Sequence, residues 1–136
     1  MPMFDYGKAL NRSWVAGTWQ VLLLKGTWVP NITLEYVSQV APSEAAGTNY
    51  SRKNLAGQSI TVDTVNHRAD HYADSVTWTT LTCSDFRYAA VYLFGTSDAD
   101  SVLHSYYDLS QRNVTNTTVI VDWNGSPANG IVFRGA

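Results

Sequence analysis

The sequence predicts an all-β, mainly antiparallel single domain, a β-sandwich or jelly-roll-like barrel with one or two short helices. Three observations carry that prediction. Several short segments alternate apolar and polar residues with a period of two, as half-buried strands do. Gly, Pro, Asn and Asp clusters bound them at regular spacing. One run, Phe86–Phe94, is apolar or aromatic on both faces after Arg87 and is stopped by Gly95-Thr96-Ser97-Asp98. A run of that length suits a central strand covered on both sides. Its alternation puts Phe86, Tyr88, Ala90, Tyr92 and Phe94 on one face, and Arg87, Ala89, Val91 and Leu93 on the other.

In chain order, residues 1–13 read as an entry arm with a short helix over Tyr6–Leu10. Trp14–Leu24 reads as a strand, with Trp19, Val21 and Leu23 opposite Gln20, Leu22 and Leu24. Pro30-Asn31 makes a turn, because proline cannot continue a ladder. Leu34, Val37 and Val40 then recur with helical spacing, Asn31 or Thr33 offers a cap and Pro42 follows, which predicts a two-turn helix over 33–40. Residues 42–58 form a long polar connection, of the kind that is functional or lies extended against a neighbour. Strands follow at Ser59–Asp63, His67–Ala73 and Val76–Thr79, then the central run, Val102–Leu109 and Val114–Trp123. Residues 125–136 are a tail holding a short Ile131-Val132-Phe133 segment.

Composition narrows the function. The 136 residues suffice for one core without metal or disulfide staples. Charged residues make up 15%, against about 25% in an average domain, so Thr, Ser, Asn and Gln must carry the surface. A net charge of −2 with scattered Lys and Arg argues against nucleic-acid binding, which needs clustered cations. No apolar run is long enough to cross a bilayer as a helix, and the first residues lack the basic and apolar regions of a signal peptide. Cys83 is alone, so neither an internal disulfide nor a cysteine zinc site is expected. Its apolar context reads as a buried, slowly reacting thiol.

The candidate chemical groupings are weak. His67 and His71 would share one face of a strand with Asp70 on the other, which is poor geometry for a metal. Asp98 and Asp100 resemble the opening of a calcium loop but lack its glycine and its later glutamate. No nucleophile elbow, phosphate loop or acid–base pair stands out, so neither an enzyme nor a cofactor is expected. Asn-x-Ser/Thr matches such as those at Asn31, Asn49, Asn113 and Asn116 read as chance in a threonine-rich chain. Trp28, Trp78 and Tyr107 are candidates for stacking on sugars in a carbohydrate-binding module, with core packing as the competing role.

An ordered series of short segments resembles a group of small tailed-bacteriophage virion proteins. It runs from Trp19-Gln20-Val21-Leu22-Leu23-Leu24 through Tyr36-Val37 to Gly47-Thr48-Asn49-Tyr50-Ser51-Arg52-Lys53-Asn54-Leu55-Ala56-Gly57-Gln58-Ser59-Ile60-Thr61-Val62-Asp63. Asn66-His67-Arg68-Ala69, Ala73-Asp74-Ser75-Val76-Thr77-Trp78, Phe86-Arg87-Tyr88-Ala89 and Val119-Ile120-Val121-Asp122-Trp123-Asn124 complete it. The resemblance spans residues 6–124 and implies a structural virion protein made in the host cytoplasm, without catalytic residues or cofactor. The group comprises head decoration, head-fibre and tail-associated proteins. A decoration or cement protein docked on the major capsid protein is the expected role, with a tail-tube or baseplate component, or the carbohydrate-binding module, as the alternatives. Five Trp and eight Tyr, residue types favoured at the centres of interfaces, point to docking and to a dimer or trimer. Phe4, Tyr6 and Phe133, in the apolar but irregular ends, are the expected anchors. The unsealed second face of the central strand is left for the 33–40 helix, the arm or another chain to cover.

Overall fold

Trp19–Leu24 (β1) lies antiparallel to one end of Val76–Leu93 (β6), in a register that runs from Trp19 opposite Leu93 to Leu24 opposite Tyr88. This pair is the centre of the molecule. The computed structural model describes Phe4, residues 14–123 and the backbone of the strand Gly130–Gly135.

Around that centre the described strands form two antiparallel sheets, as the residue pattern predicts. The first places Gly47–Thr48 (β2), β6, β1 and Lys53–Asn54 (β3) side by side, with Val102–Val121 (β7) also paired to β6. The second consists of Ser59–Asp63 (β4), Arg68–Ala73 (β5) and Gly130–Gly135 (β8), in that order. Gly47 opposes Cys83 so closely that a Cβ there would overlap the Thr82 carbonyl oxygen. Only glycine lets β2 pair at that point.

Successive residues of β1 point to opposite sides, and both sides are buried. Trp19, Val21 and Leu23 join Ala89 and Val91 in one cluster, completed by Trp14, Leu55, Ala73, Trp78 and Trp123. Leu22 and Leu24 join Tyr88, Ala90 and Tyr92 in a second, completed by Phe4, Trp28, Val37, Val40 and Leu103. Each large side chain so buried contributes on the order of 2–3 kcal/mol. The second face is therefore sealed by this chain's own residues, from both the arm and the 33–40 segment.

The 33–40 segment is not a helix of two turns. It forms two 3-10 turns, Val37–Gln39 and Ala41–Ser43. Backbone donors that a helix would use internally are taken elsewhere: Val37 N–H donates to Ser101 O and Ser38 N–H to Asp98 O, each at 3.0 Å. The Gln39 side-chain oxygen accepts from the backbone N–H groups of Glu35 and Tyr36, at 2.7 and 2.9 Å, and Pro42 has no N–H to extend the run.

Two further expectations are corrected. The segments read as Val76–Thr79 and Phe86–Phe94 belong to one strand, β6, and Val102–Leu109 and Val114–Trp123 merge into one strand, β7. Their ladder survives the intervening Ser, Asp and Asn residues through five shifts of register, four of them between Trp78 and Tyr88. One of these lies between Phe86 and Tyr88, and there Phe86 joins the first cluster while Tyr88 stays in the second, opposite the shared face that alternation predicted. Phe94 lies outside β6 and is 42% exposed.

Candidate functional site

Of the three expected anchors, Phe4 is fully buried within its own chain. Its ring meets Tyr106 edge-on at 5.8 Å and Trp28 at 6.5 Å, and its backbone N–H donates to His104 O at 2.8 Å. That aromatic surface is consumed in the second cluster and cannot also anchor a neighbour. Tyr6 lies outside the described residues. Phe133 stands on β8 opposite His71, with its side chain outside the described residues.

Of the aromatic residues considered for sugar stacking, Trp28 and Trp78 are core residues and the half-buried Tyr107 packs against the core. Trp78 is fully buried, stacked on Tyr50 at 6.3 Å, with its indole N–H donating to Ser51 O at 2.7 Å. Trp28 is buried among Phe4, Tyr88 and Tyr106, and Tyr107 packs on Trp123 at 4.9 Å. Asp70 and His71 are buried on β5, whereas His67 sits in the β4–β5 turn at φ 53°. Among the described residues no three His, Cys, Asp or Glu side chains converge as a metal site would require. Asp100 caps its own turn, accepting from the backbone N–H groups of Thr96 and Ser97 at 2.9 and 2.8 Å. The Thr96 side chain and those amides lower its carboxyl to about 2. Cys83 is buried beside Ala46 O, and burial pushes its thiol up.

The 42–58 connection carries a charge cluster that the sequence did not announce. Arg52 forks onto Glu44 at 2.8 Å and onto Asp98 at 2.6 Å. Tyr50 donates to Glu44 at 2.6 Å and accepts from Leu23 N–H at 3.0 Å. Arg52 also lies over the Tyr92 ring, whose hydroxyl donates to Gln20 at 2.6 Å. Arg52 holds the Asp98 carboxyl below the usual range. Both carboxylates are paired with the same guanidinium, so the cluster works as a clamp holding the connection onto β1 and the 94–101 turn. Its only sequence signal was an arginine inside a stretch too long to be an idle loop.

The distal part of β6–β7 has a different character. Thr80, Asp85, Ser110 and Asn116 all adopt positive φ, two on each strand. Such residues cost on the order of 1–3 kcal/mol each and persist only when held. Here they are held: Asn49 donates to Thr80 O at 3.0 Å, and Asn116 N–H donates to the Thr82 hydroxyl at 3.0 Å. Asp85 accepts from Gly26 N–H and from Gln111, and Ser110 N–H donates to Asp108 at 2.9 Å.

The coiled ribbon leaves a groove along β7 of about 200 Å³. Phe86, fully buried, forms its floor, with the half-buried Leu109, Val114 and Val119 alongside. Exposed Arg112, Thr117 and Thr118 form its rim. Arg112 Nε donates to the Leu109 carbonyl at 3.1 Å, and among the described residues no carboxylate pairs with its guanidinium. The outer edge of β7 is covered at its start, where Leu103 N–H donates to Glu35 O and His104 O accepts from Phe4. Beyond His104, among the described residues, β7 pairs with β6 alone. The sequence concealed this site, because Ser110–Asn113 read as a break between strands. Comparisons with protein-family models, with curated proteins and with solved structures return no match.

Proposed function

We propose that this chain is a non-enzymatic structural component of a tailed-phage virion, an auxiliary head protein docking on the major capsid protein as a dimer or trimer. The observation that supports it best is the edge of β7, a strand of 20 residues that beyond Tyr107 pairs with β6 alone among the described residues and carries an apolar groove. A protein that adheres to a shell needs a stiff body and an unsatisfied edge. Two clusters on either side of β1–β6 supply the first, and β7 over residues 109–121, which among the described residues pairs with β6 alone, supplies the second. The segment order that resembles small virion proteins points the same way. The weakly charged, hydroxyl-rich surface suits a crowded shell, where a strong net charge would repel neighbouring copies.

In this reading attachment moves from the N-terminal arm to the sheet edge, because Phe4 is occupied within its own fold. Quantitative mass spectrometry of purified particles tests the proposal. A copy number on the scale of the shell subunits is expected. A number on the scale of the tail tip would move the protein to the tail, and its absence from particles would end the virion reading.

A further inference from the structure

The β7 groove is too small for a cofactor and large enough for one side chain. Small-molecule sites commonly measure about 300–1,000 Å³, whereas an apolar cavity of about 150 Å³ accepts a single benzene ring. At about 200 Å³, the groove fits one aliphatic or aromatic residue. Arg112 stands at its rim with Nη1 and Nη2 available, since only Nε is committed, to the Leu109 carbonyl. By contrast, Arg52 and Arg87 are each forked onto carboxylates. Alongside runs the outer edge of β7, which over residues 109–121 carries no further strand among the described residues; its ladder with β6 is regular from Val119 to Val121 and interrupted by bulges at Asn116 and Ser110. Bulges of this kind limit how far an edge can zip onto another strand.

We infer that the β7 groove binds a short extended peptide segment of a partner protein, which adds to the β7 edge, places an apolar side chain against Phe86, Val114 and Val119, and sets a carboxylate on Arg112. Backbone pairing supplies register, the pocket selects an apolar residue, and the free guanidinium selects an acidic one in a charge-assisted fork. The identification of that partner as a shell protein rests on the proposed function; the groove's chemistry does not.

The test uses the full chain and two blocked hexapeptides, Thr-Val-Thr-Leu-Thr-Glu and the same peptide ending in Lys, followed by amide chemical shifts. Shifts confined to residues 109–120 and their β6 partners are expected, with the Glu peptide bound about tenfold more tightly. Arg112→Glu, at an exposed position that leaves the fold intact, should reverse the preference. Absence of binding, shifts elsewhere, or a preference that Arg112→Glu leaves unchanged would overturn the inference. A concentration-dependent dimer that Arg112→Glu abolishes would overturn it too, by assigning the groove to a second copy. On particles, undiminished occupancy of the Arg112→Glu chain refutes the groove as the docking device while the virion reading stands. A chain absent from particles that still discriminates the peptides refutes the virion reading and leaves the groove in place.

Discussion

One hairpin contains two opposite solutions to the problem of being a β-strand. From Tyr88 to Leu93, β6 has β1 on one side and β7 on the other, with side chains buried on both faces. From Trp78 to Phe86 the same strand is wrapped into a bulged ribbon with β7, buried on one face and rich in exposed Thr on the other. A strand packed on both faces cannot slip by one residue without moving its whole apolar set to the wrong side. A strand packed on one face can absorb extra residues as bulges, provided local hydrogen bonds hold them. Rigidity and an accessible edge are thereby combined in one pair of strands.

The comparison predicts a steep gradient of mutational cost. Phe4→Ala should cost about 3–5 kcal/mol in denaturant unfolding, because a fully buried ring leaves a cavity in the second cluster. Deleting residues 1–10 should be similarly severe. If the truncated chain instead melts with the full-length protein, the arm is dispensable and the second face has another cover.

Acid should attack the same centre. His104 is fully buried, and burial, with His71 a lesser cause, lowers its pKa to about 3 from an ordinary 6.5. The folded state therefore resists protonation that the unfolded chain accepts. That stability is complete above about pH 6.5 and lost progressively as the pH falls towards 3, a window worth several kcal/mol. Unfolding measured between pH 6.5 and 4 should show the loss before most carboxylates titrate. A His104→Phe variant should flatten it, and an unchanged slope would assign the acid sensitivity elsewhere.

Arg52→Ala should cost about 2 kcal/mol, between the values for exposed and buried pairs, because Glu44 and Asp98 lose their common partner. Loss of less than about 0.5 kcal/mol would mean that the clamp is an ornament of the surface. On the ribbon, Thr118→Ala should change stability by less than about 0.5 kcal/mol. Cys83 sharpens the contrast further. It sits in the bulged region yet is 1% exposed, and without denaturant its labelling should be slow. Rapid stoichiometric reaction would show that the bulges open readily and that the ribbon is held less firmly than its hydrogen bonds imply.

Several features were readable in the chain because their causes are local. The period-two runs at Trp19–Leu24 and Val102–Leu109, the turn at Ser97–Asp100 and the burial of Cys83 follow from side-chain pattern and turn chemistry. Others have distant causes. The 33–40 segment has helical spacing, but Ser101 and Asp98 take its donors, and those residues lie in a turn far along the sequence. Phe86 alternates with Tyr88 on paper, yet the two fall in different clusters where the ladder to β7 shifts register. The Arg112 groove depends on Ser110 and Asn116 holding positive φ, a state that side-chain bonds to Asp108 and Thr82 maintain.

Sequence alone determined the class of this protein: antiparallel strands, a core dominated by Trp, Tyr and Leu, and little charge to spare. Tertiary structure decided which residues were consumed and which remained available. Phe4, Trp28 and Trp78 looked fit for recognition and went into the core, whereas Arg112 in an unpromising polar stretch came to rest beside an open groove. Alternation and turn residues act over a few positions, and so they are written in the chain. Exposure depends on what the rest of the chain brings alongside, and for β7 from Leu109 onward that was, among the described residues, β6 alone.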